Sequence, residues 1–158
     1  LVIRHDRFCW AVLFNTSAAQ TGEYRDQALE ALNGLLAGLG DADRVQLMAI
    51  DLNAVPMTTD FVAPKSADMA AGLQKLKGRV PLGSTDMQKA LNAAVGSLAA
   101  AGSRPKSIVY LGDGMSRASV PGIEPPTVAE LFALVETCAA WFPTVRVIPQ
   151  THVMLGVR

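Results

Sequence analysis

The fold class follows from residues 10–22, WAVLFNTSAAQTG. The apolar run WAVLF predicts a buried β-strand, and the short polar segment NTSAA separates it from a sequence of helical character. Small hydroxyl and amide side chains between a strand and a helix lie at the carboxyl edge of a sheet. Open α/β folds bind their ligands at that edge. Residues 10–22 therefore predict an α/β sheet and locate a candidate binding site on it.

Strand-like and helix-like segments alternate along the rest of the chain. Residues 44–52 and 107–111 are almost entirely apolar, which predicts strands of a parallel sheet covered on both faces. Helices are predicted at residues 22–37, from Ser66 as N-cap, at 86–100 and at 127–141. A short strand within residues 53–64, antiparallel near residues 60–62, has a proline at each end and is expected at an edge. With a fifth strand between residues 145 and 155, right-handed crossovers give a doubly wound, mostly parallel sheet whose first strand is internal.

The composition limits the number of domains and the kinds of partner. A chain of 158 residues, 50% of them hydrophobic, predicts a single domain over residues 1–158. Its formal net charge of zero does not favour nucleic acid or an anionic membrane, and no apolar run reaches the ~20 residues of a membrane span. Cys9 and Cys138 are expected to be buried free thiols. Because the chain begins at Leu1, we expect it to be excised from a longer protein.

Three polar loops fall at the carboxyl edge of the predicted sheet. They are residues 15–19 after the first strand, 83–86 before a helix, and 112–116 after the fourth strand. Because these loops share one edge, we expect Ser17, Thr85 and Asp113 to lie close together in a shallow depression that solvent can reach.

The same segments resemble the motifs of von Willebrand factor type A domains. NTSAA at residues 15–19 resembles the first motif of that family, Asp-x-Ser-x-Ser. GSTDMQKAL resembles the second motif, VYLGDGMS the third, and RVQLMAIDL the second strand of the fold. The resemblance implies a Rossmann-like sheet with one antiparallel edge strand and helices on both faces. It also implies that the chain lacks a last helix and strand, which in the family would follow Arg158.

The resemblance assigns five residues to a metal-ion-dependent adhesion site. Asn15, Ser17 and Ala19 stand at the first-motif positions, Thr85 at the loop threonine and Asp113 at the distal acid. In the family these positions hold a Mg²⁺-like ion, and a carboxylate of the partner completes its shell. Here a carboxamide replaces a carboxylate and a methyl group replaces a hydroxyl, so the site is degenerate. We expect Mg²⁺ binding to be weak or absent, and no other cofactor.

The polar residues of this edge also have simpler interpretations. Asp86 is a possible substitute for the lost carboxylate. Asn15 and Ser17 could instead satisfy backbone groups at the turn that follows the strand, and Thr85 could be only the N-cap of the next helix. Asp113 with the glycine after it could form an ordinary turn.

The function implied by the resemblance is protein binding without catalysis. The chain most resembles bacterial type A domains that occur beside vault-protein/inter-alpha-trypsin domains in larger exported or membrane-attached proteins. The expected partner is another protein or another domain of the same chain.

An enzymatic alternative is a Mg²⁺-dependent phosphatase similar to haloacid dehalogenases. Residues 49–55, AIDLNAV, resemble its nucleophile motif with Asp51 as nucleophile, and Asp113 would be its late acid. Such an enzyme needs a second acid two residues after the nucleophile and a further late acid for the metal. Asn53 occupies the first of these positions, and Ser116 and Arg117 follow where the late partner acid would stand.

Overall fold

The computed structural model describes residues 7–114 of the chain as strands and helices in alternation. In chain order they are β1 Cys9–Asn15, α1 Glu23–Gly38, β2 Arg44–Ile50, β3 Ala54–Pro56, α2 Ala67–Gly78, α3 Met87–Ala100 and β4 Lys106–Leu111. The helix predicted at residues 127–141 and the strand predicted between 145 and 155 lie outside the described residues.

The four described strands form one sheet in the order β3-β2-β1-β4. β1 pairs in parallel with β2 and with β4, and β3 pairs antiparallel with β2. The mostly parallel sheet, the internal first strand and the antiparallel strand are therefore confirmed. At the carboxyl edge, Asn15 is in register with Ile50, and Phe14 is in register with Leu111.

The antiparallel strand begins earlier than the sequence predicts. It occupies Ala54–Pro56, whereas the predicted segment near residues 60–62 makes only an isolated bridge between Val62 and Val45. A tight turn after β2 accounts for the difference. The Asn53 amide donates to Oδ1 of Asp51 over 3.0 Å, and the Asp51 amide donates to the Asn53 carbonyl over 3.0 Å. The chain thus reverses at once, and pairing resumes at residue 54.

Helices cover both faces of the sheet, which explains why β1 and β2 lack polar alternation. On one face, Val12 and Phe14 of β1 pack with buried residues of α1 and α2. On the other face, Ala11 and Leu13 pack against the alanine-rich side of α3. Cys9, at the start of β1, is a buried free thiol, as predicted, and Cys138 lies outside the described residues. Within residues 7–114, none of the helices has the length and apolar content that crossing a bilayer requires.

Side-chain caps set the starts of α2 and α3. Oγ of Ser66 accepts from the Met69 amide over 3.2 Å, which confirms the predicted N-cap of α2. Asp86 is the N-cap of α3, and its Oδ1 accepts from the Lys89 amide over 2.8 Å. The loop before α3 is thereby held at a fixed entry to the helix.

Candidate functional site

Asn15 is the centre of the polar cluster at the carboxyl edge. It is fully buried at the end of β1. Its Oδ1 accepts from the Ser17 amide over 2.8 Å and from Oγ1 of Thr85 over 3.0 Å. Its Nδ2 donates to the Tyr110 hydroxyl over 3.0 Å and to Oδ1 of Asp113 over 3.1 Å. One carboxamide therefore makes four hydrogen bonds and connects all three loops that the sequence places at this edge.

These contacts surround a shallow depression of about 260 Å³. Its lining residues are Ser17, Ala18, Ala19, Gly83, Ser84, Thr85 and Asp113. The structure thus brings together the sequence-predicted residues of the three loops. Asn15 is not part of the lining, but it is hydrogen-bonded to Ser17, Thr85 and Asp113 of that lining.

The backbone also joins the first two loops. The Ala18 amide donates to the Gly83 carbonyl over 2.9 Å, and the Leu82 amide donates to the Thr16 carbonyl over 3.1 Å. We call residues 79–86 the 79–86 loop. Its residues Gly83, Ser84 and Thr85 line the depression, and these two hydrogen bonds join the loop to residues 15–19.

The structure supports some of the simpler interpretations of these residues and contradicts others. Thr85 is not the N-cap of α3, because Asp86 has that position. The hydroxyl of Thr85, only 2% exposed, contacts Asn15 instead. Asp86 does not line the depression, and its carboxylate caps a helix. The bond from the Ser17 amide to Asn15 is the turn-stabilising contact expected of a short polar side chain after a strand.

Tyr110 belongs to the cluster although the sequence analysis did not single it out. Burial, together with the negative charge of Asp113, raises the pKa of Tyr110 from about 10 to about 12, against smaller opposite effects of hydrogen bonds from Asn15 and Gly114. A hydroxyl-bearing aromatic residue in the otherwise apolar end of β4, three residues before Asp113, was the available signal.

Gly112 makes the close approach of β1 and β4 possible at this point. A Cβ atom on Gly112 would lie 2.5 Å from the Tyr110 hydroxyl and 2.6 Å from Cβ of Asn15. Real Cβ atoms do not approach other heavy atoms so closely. Residue 112 must therefore be a glycine, because Asn15 and Tyr110 occupy the volume that a Cβ atom would need.

The contacts of Asp51 are those of a residue that stabilises the fold, and they differ from those expected of a catalytic nucleophile. Its Oδ2 forms an ion pair with Arg79 at 2.5 Å and accepts from Oγ1 of Thr16 over 3.4 Å. Its Oδ1 accepts from the Asn53 amide. The ion pair joins β2 to the 79–86 loop, and the side chain of Asp51 is only 12% exposed. The dehalogenase-like alternative, with Asp51 attacking a phosphate, finds no support in this arrangement.

The hydrogen bonds of Asn15 bear on metal binding, because a Mg²⁺ ion needs a near-octahedral shell of oxygens. The Ser17 amide can only donate, so it fixes Oδ1 of Asn15 on its own side and turns Nδ2 toward Asp113. An N–H group thus faces the distal acid where an oxygen would be needed. Ala19 adds only a methyl group. Between residues 7 and 114, no three His, Cys, Asp or Glu side chains group closely enough to hold a metal.

Exposed apolar side chains lie next to the depression. Leu52, in the turn after β2, is 46% exposed, and Val80 and Leu82 in the 79–86 loop are 67% and 66% exposed. The position of a Cβ on Gly83 would be 3.4 Å from the side chain of Leu52, so the turn and the loop are in contact. We call Leu52, Val80 and Leu82 the edge patch.

A profile of the family described as von Willebrand factor type A domain matches residues 11–146. The chain belongs to the von Willebrand factor type A family. The type A match covers all three loops of the candidate site. No curated protein sequence gives a significant match. A neighbouring vault-protein/inter-alpha-trypsin domain stays a prediction.

Solved structures of other proteins share the fold. A von Willebrand factor type A protein from Catenulispora acidiphila is 18% identical, with a TM-score of 0.67, and the match covers 87% of this chain and 32% of that one. The vWF domain of the type V pili tip protein Mfa5 from Porphyromonas gingivalis is 20% identical, with a TM-score of 0.57 and coverages of 87% and 51%. The pilus adhesin SpaC from Lactobacillus rhamnosus GG is 18% identical, with a TM-score of 0.57 and coverages of 72% and 15%. This type A chain therefore spans about half or less of each of these structures.

Proposed function

We propose that this type A domain recognises another protein, or another domain of its own polypeptide, through the carboxyl edge of its sheet, without catalysis and without a bridging metal ion. The observation that carries the proposal is the edge patch beside the polar depression. Exposed apolar side chains that border polar groups are characteristic of recognition surfaces, because their burial drives association while the polar rim sets orientation.

The hydrogen bonds of Asn15 support recognition without an ion. In a metal-bridged site, the cation draws the loops together. Here Asn15 joins the same loops through neutral and charge-assisted hydrogen bonds. The edge is therefore already organised before a partner arrives, which lowers the entropic cost of binding.

The environment of Asp51 supports a role outside catalysis. A nucleophilic carboxylate must reach substrate, whereas Asp51 is tied to Arg79, Thr16 and the Asn53 amide. Cys9, the cysteine among residues 7–114, lies at the opposite end of β1 from Asn15. Among the described residues, we therefore identify no activated nucleophile at the depression.

The solved structures with the same fold favour an exported or membrane-attached parent protein. They include a pili tip protein, a pilus adhesin and an aerotolerance-related membrane protein from Bacteroides fragilis. We propose the same setting for this chain.

Selection of binding peptides tests the proposed function. A random peptide library is selected on the domain in buffer that contains EDTA, and affinities of the enriched peptides are measured by calorimetry. We expect Leu82→Ser to weaken binding at least about tenfold, since it removes a central apolar contact. Val95→Ser is the matched control, because Val95 is 45% exposed on α3 and outside the edge patch. Equal binding to wild type and Leu82→Ser, or peptides that are enriched in Mg²⁺ but not in EDTA, would overturn the proposal.

A further inference from the structure

We infer that Arg79 is a positioning residue for partner binding. Its ion pair with Asp51 holds the 79–86 loop, and with it Val80 and Leu82 of the edge patch, in the conformation that a partner recognises. The inference rests on the proposed function and concerns the geometry of the same surface. It gives a mostly buried ion pair a role in recognition that requires no contact between Arg79 and the partner.

The side chain of Arg79 joins the loop to the ends of two strands. Its Nη2 pairs with Oδ2 of Asp51, directly after β2, and its Nε donates over 3.3 Å to Oγ1 of Thr16, directly after β1. The side chains of Arg79 and Asp51 are only 28% and 12% exposed, so salt screens their attraction less than that of a surface pair. Because the guanidinium is planar and rigid, two bonds from it fix its orientation.

The backbone of Arg79 is held as well. Its amide donates to the Leu76 carbonyl over 3.1 Å at the end of α2. Its carbonyl accepts from Nη2 of Arg25 in α1 over 3.0 Å, and the same Nη2 donates to the Leu76 carbonyl over 2.9 Å. The first residue of the loop is therefore fixed by α1 and α2 through its backbone and by the sheet through its side chain.

Asp51 also holds the other end of the loop. The Asp86 amide donates to the Asp51 carbonyl over 2.9 Å. One residue after β2 thus contacts the first residue of the loop through its side chain and the last residue through its backbone. Between these ends, the Leu82 amide donates to the Thr16 carbonyl over 3.1 Å. A loop attached at both ends and in its middle has little conformational freedom.

The apolar side chains of the loop lie between these attachments. Val80 and Pro81 alone separate Arg79 from Leu82 in the sequence. The ring of Pro81 fixes its own φ and biases Val80 toward extended backbone. The anchors on either side therefore keep Val80 and Leu82 in place, although their side chains are 67% and 66% exposed. Without the ion pair, a partner would have to order this segment on binding, at a cost in affinity.

Arg79→Met tests the inference, because it keeps an unbranched apolar stem and removes the charge and both donors. In the free domain, hydrogen exchange of the Leu82 and Asp86 amides should be about tenfold faster than in the unaltered domain. The peptides selected in EDTA should bind Arg79→Met about tenfold more weakly, and saturation with peptide should restore slow exchange at Leu82. Arg79→Lys, whose single ammonium can pair with Asp51, should give intermediate exchange and intermediate affinity.

Val45→Ala is the control for a general loss of stability. Val45 is fully buried in the opposite half of β2 from Asp51, so its truncation removes core packing without touching the loop. Exchange at Leu82 and Asp86 and the affinity for the peptides should stay close to those of the unaltered domain. Changes as large as those of Arg79→Met would contradict the positioning role.

The outcomes separate this inference from the proposed function. If the peptides depend on Leu82 but bind Arg79→Met as tightly as the unaltered domain, the inference fails and the proposed function stands. Weaker binding to Arg79→Met with unchanged exchange would mean that the partner contacts Arg79 directly, which also overturns the inference. If the peptides are indifferent to Leu82, the proposed function fails.

Hydrogen exchange of the unaltered domain keeps the inference testable should Arg79→Met not fold. The Leu82 and Asp86 amides should exchange at least about a hundredfold more slowly than in an unstructured peptide of residues 79–86. Exchange at the rate of that peptide would show that the loop is not held before a partner binds, and would overturn the inference.

Discussion

Asn15 and Asp113 are joined by a hydrogen bond of 3.1 Å from Nδ2 to Oδ1, which connects the end of β1 to the loop after β4. A carboxylate at residue 15 would face Asp113 as a second negative charge, and two such groups at this distance repel unless a cation or proton lies between them. The carboxamide turns that repulsion into a bond. Asn15 at the first-motif position is therefore compatible with the close approach of the three loops.

Asn15→Asp combined with Ala19→Ser should create a binding site for Mg²⁺ or Mn²⁺. The double change returns one carboxylate and one hydroxyl to positions near Ser17, Thr85 and Asp113. Calorimetry should show binding to the double variant and weak or no binding to the unaltered chain. Asn15→Asp alone should lower the melting temperature in EDTA, because two carboxylates then meet, and Mg²⁺ should raise the melting temperature of the double variant.

The matched control for this pair places the hydroxyl one residue away. Asn15→Asp combined with Ala18→Ser keeps the composition of the double variant but leaves residue 19 unable to ligate, so it should bind Mg²⁺ less tightly. Tight binding by the unaltered chain would mean that a backbone carbonyl or another carboxylate replaces the missing ligands. If the double variant gains nothing, the resemblance to metal-dependent domains extends to the fold only.

Tyr110 should lose its phenolic proton only at high pH, and the stability of the domain should therefore fall as the pH rises above about 10. Its pKa in the folded protein is raised to about 12, chiefly by burial, so the folded state holds the phenolic proton more tightly than the unfolded chain does. The stabilisation is fully present below about pH 10 and is lost between about pH 10 and 12, by about 2 to 3 kcal/mol at most.

The Tyr24→Phe variant isolates this titration, because the chain has two tyrosines. Phenolate absorbance of that variant should rise with a midpoint near 12, whereas a midpoint near 10 would show that Tyr110 is not buried beside Asp113. In Tyr110→Phe, the loss of stability between pH 10 and 12 should be smaller than in the unaltered chain.

Gly112→Ala should destabilise the domain by about 2 kcal/mol, the usual cost of forcing an extra methyl into filled space. The new Cβ would collide with Asn15 and the Tyr110 hydroxyl, so the cluster itself must shift. Gly96→Ala is the control, since nothing lies within 4 Å of its added Cβ and alanine favours a helix interior. Urea denaturation of both variants measures the difference. Equal stabilities would show that β1 and β4 are farther apart than described.

The fold could be predicted from the sequence because its signals are local and agree with one another. The apolar runs of β1 and β2 have no polar alternation, as required of strands buried between α1 and α2 on one side and α3 on the other. The short strand β3 was misplaced toward residues 60–62 because the turn between Asp51 and Asn53 depends on a side-chain hydrogen bond that composition does not reveal.

The candidate site could be predicted only in part. The convergence of Ser17, Thr85 and Asp113 follows from the topology, since their loops share one edge. The contacts of Asn15 with Tyr110 and of Asp51 with Arg79 join residues far apart in the chain, and no spacing rule connects them. The N-cap of α3 was assigned to Thr85 in one interpretation because Thr85 and Asp86 are adjacent and both are suitable caps.

Asp51→Asn should lower the stability of the domain by about 2 kcal/mol, because it leaves the guanidinium of Arg79 without its carboxylate at a site that is mostly buried. Asp41→Asn breaks the solvent-exposed pair of Asp41 with Lys65 and should change stability little. Neither variant should alter phosphate release from p-nitrophenyl phosphate, since the unaltered domain should have no phosphatase activity in the presence of Mg²⁺. Turnover by the unaltered domain that disappears in Asp51→Asn, while Asp41→Asn retains it, would contradict the non-catalytic assignment and restore the dehalogenase-like alternative.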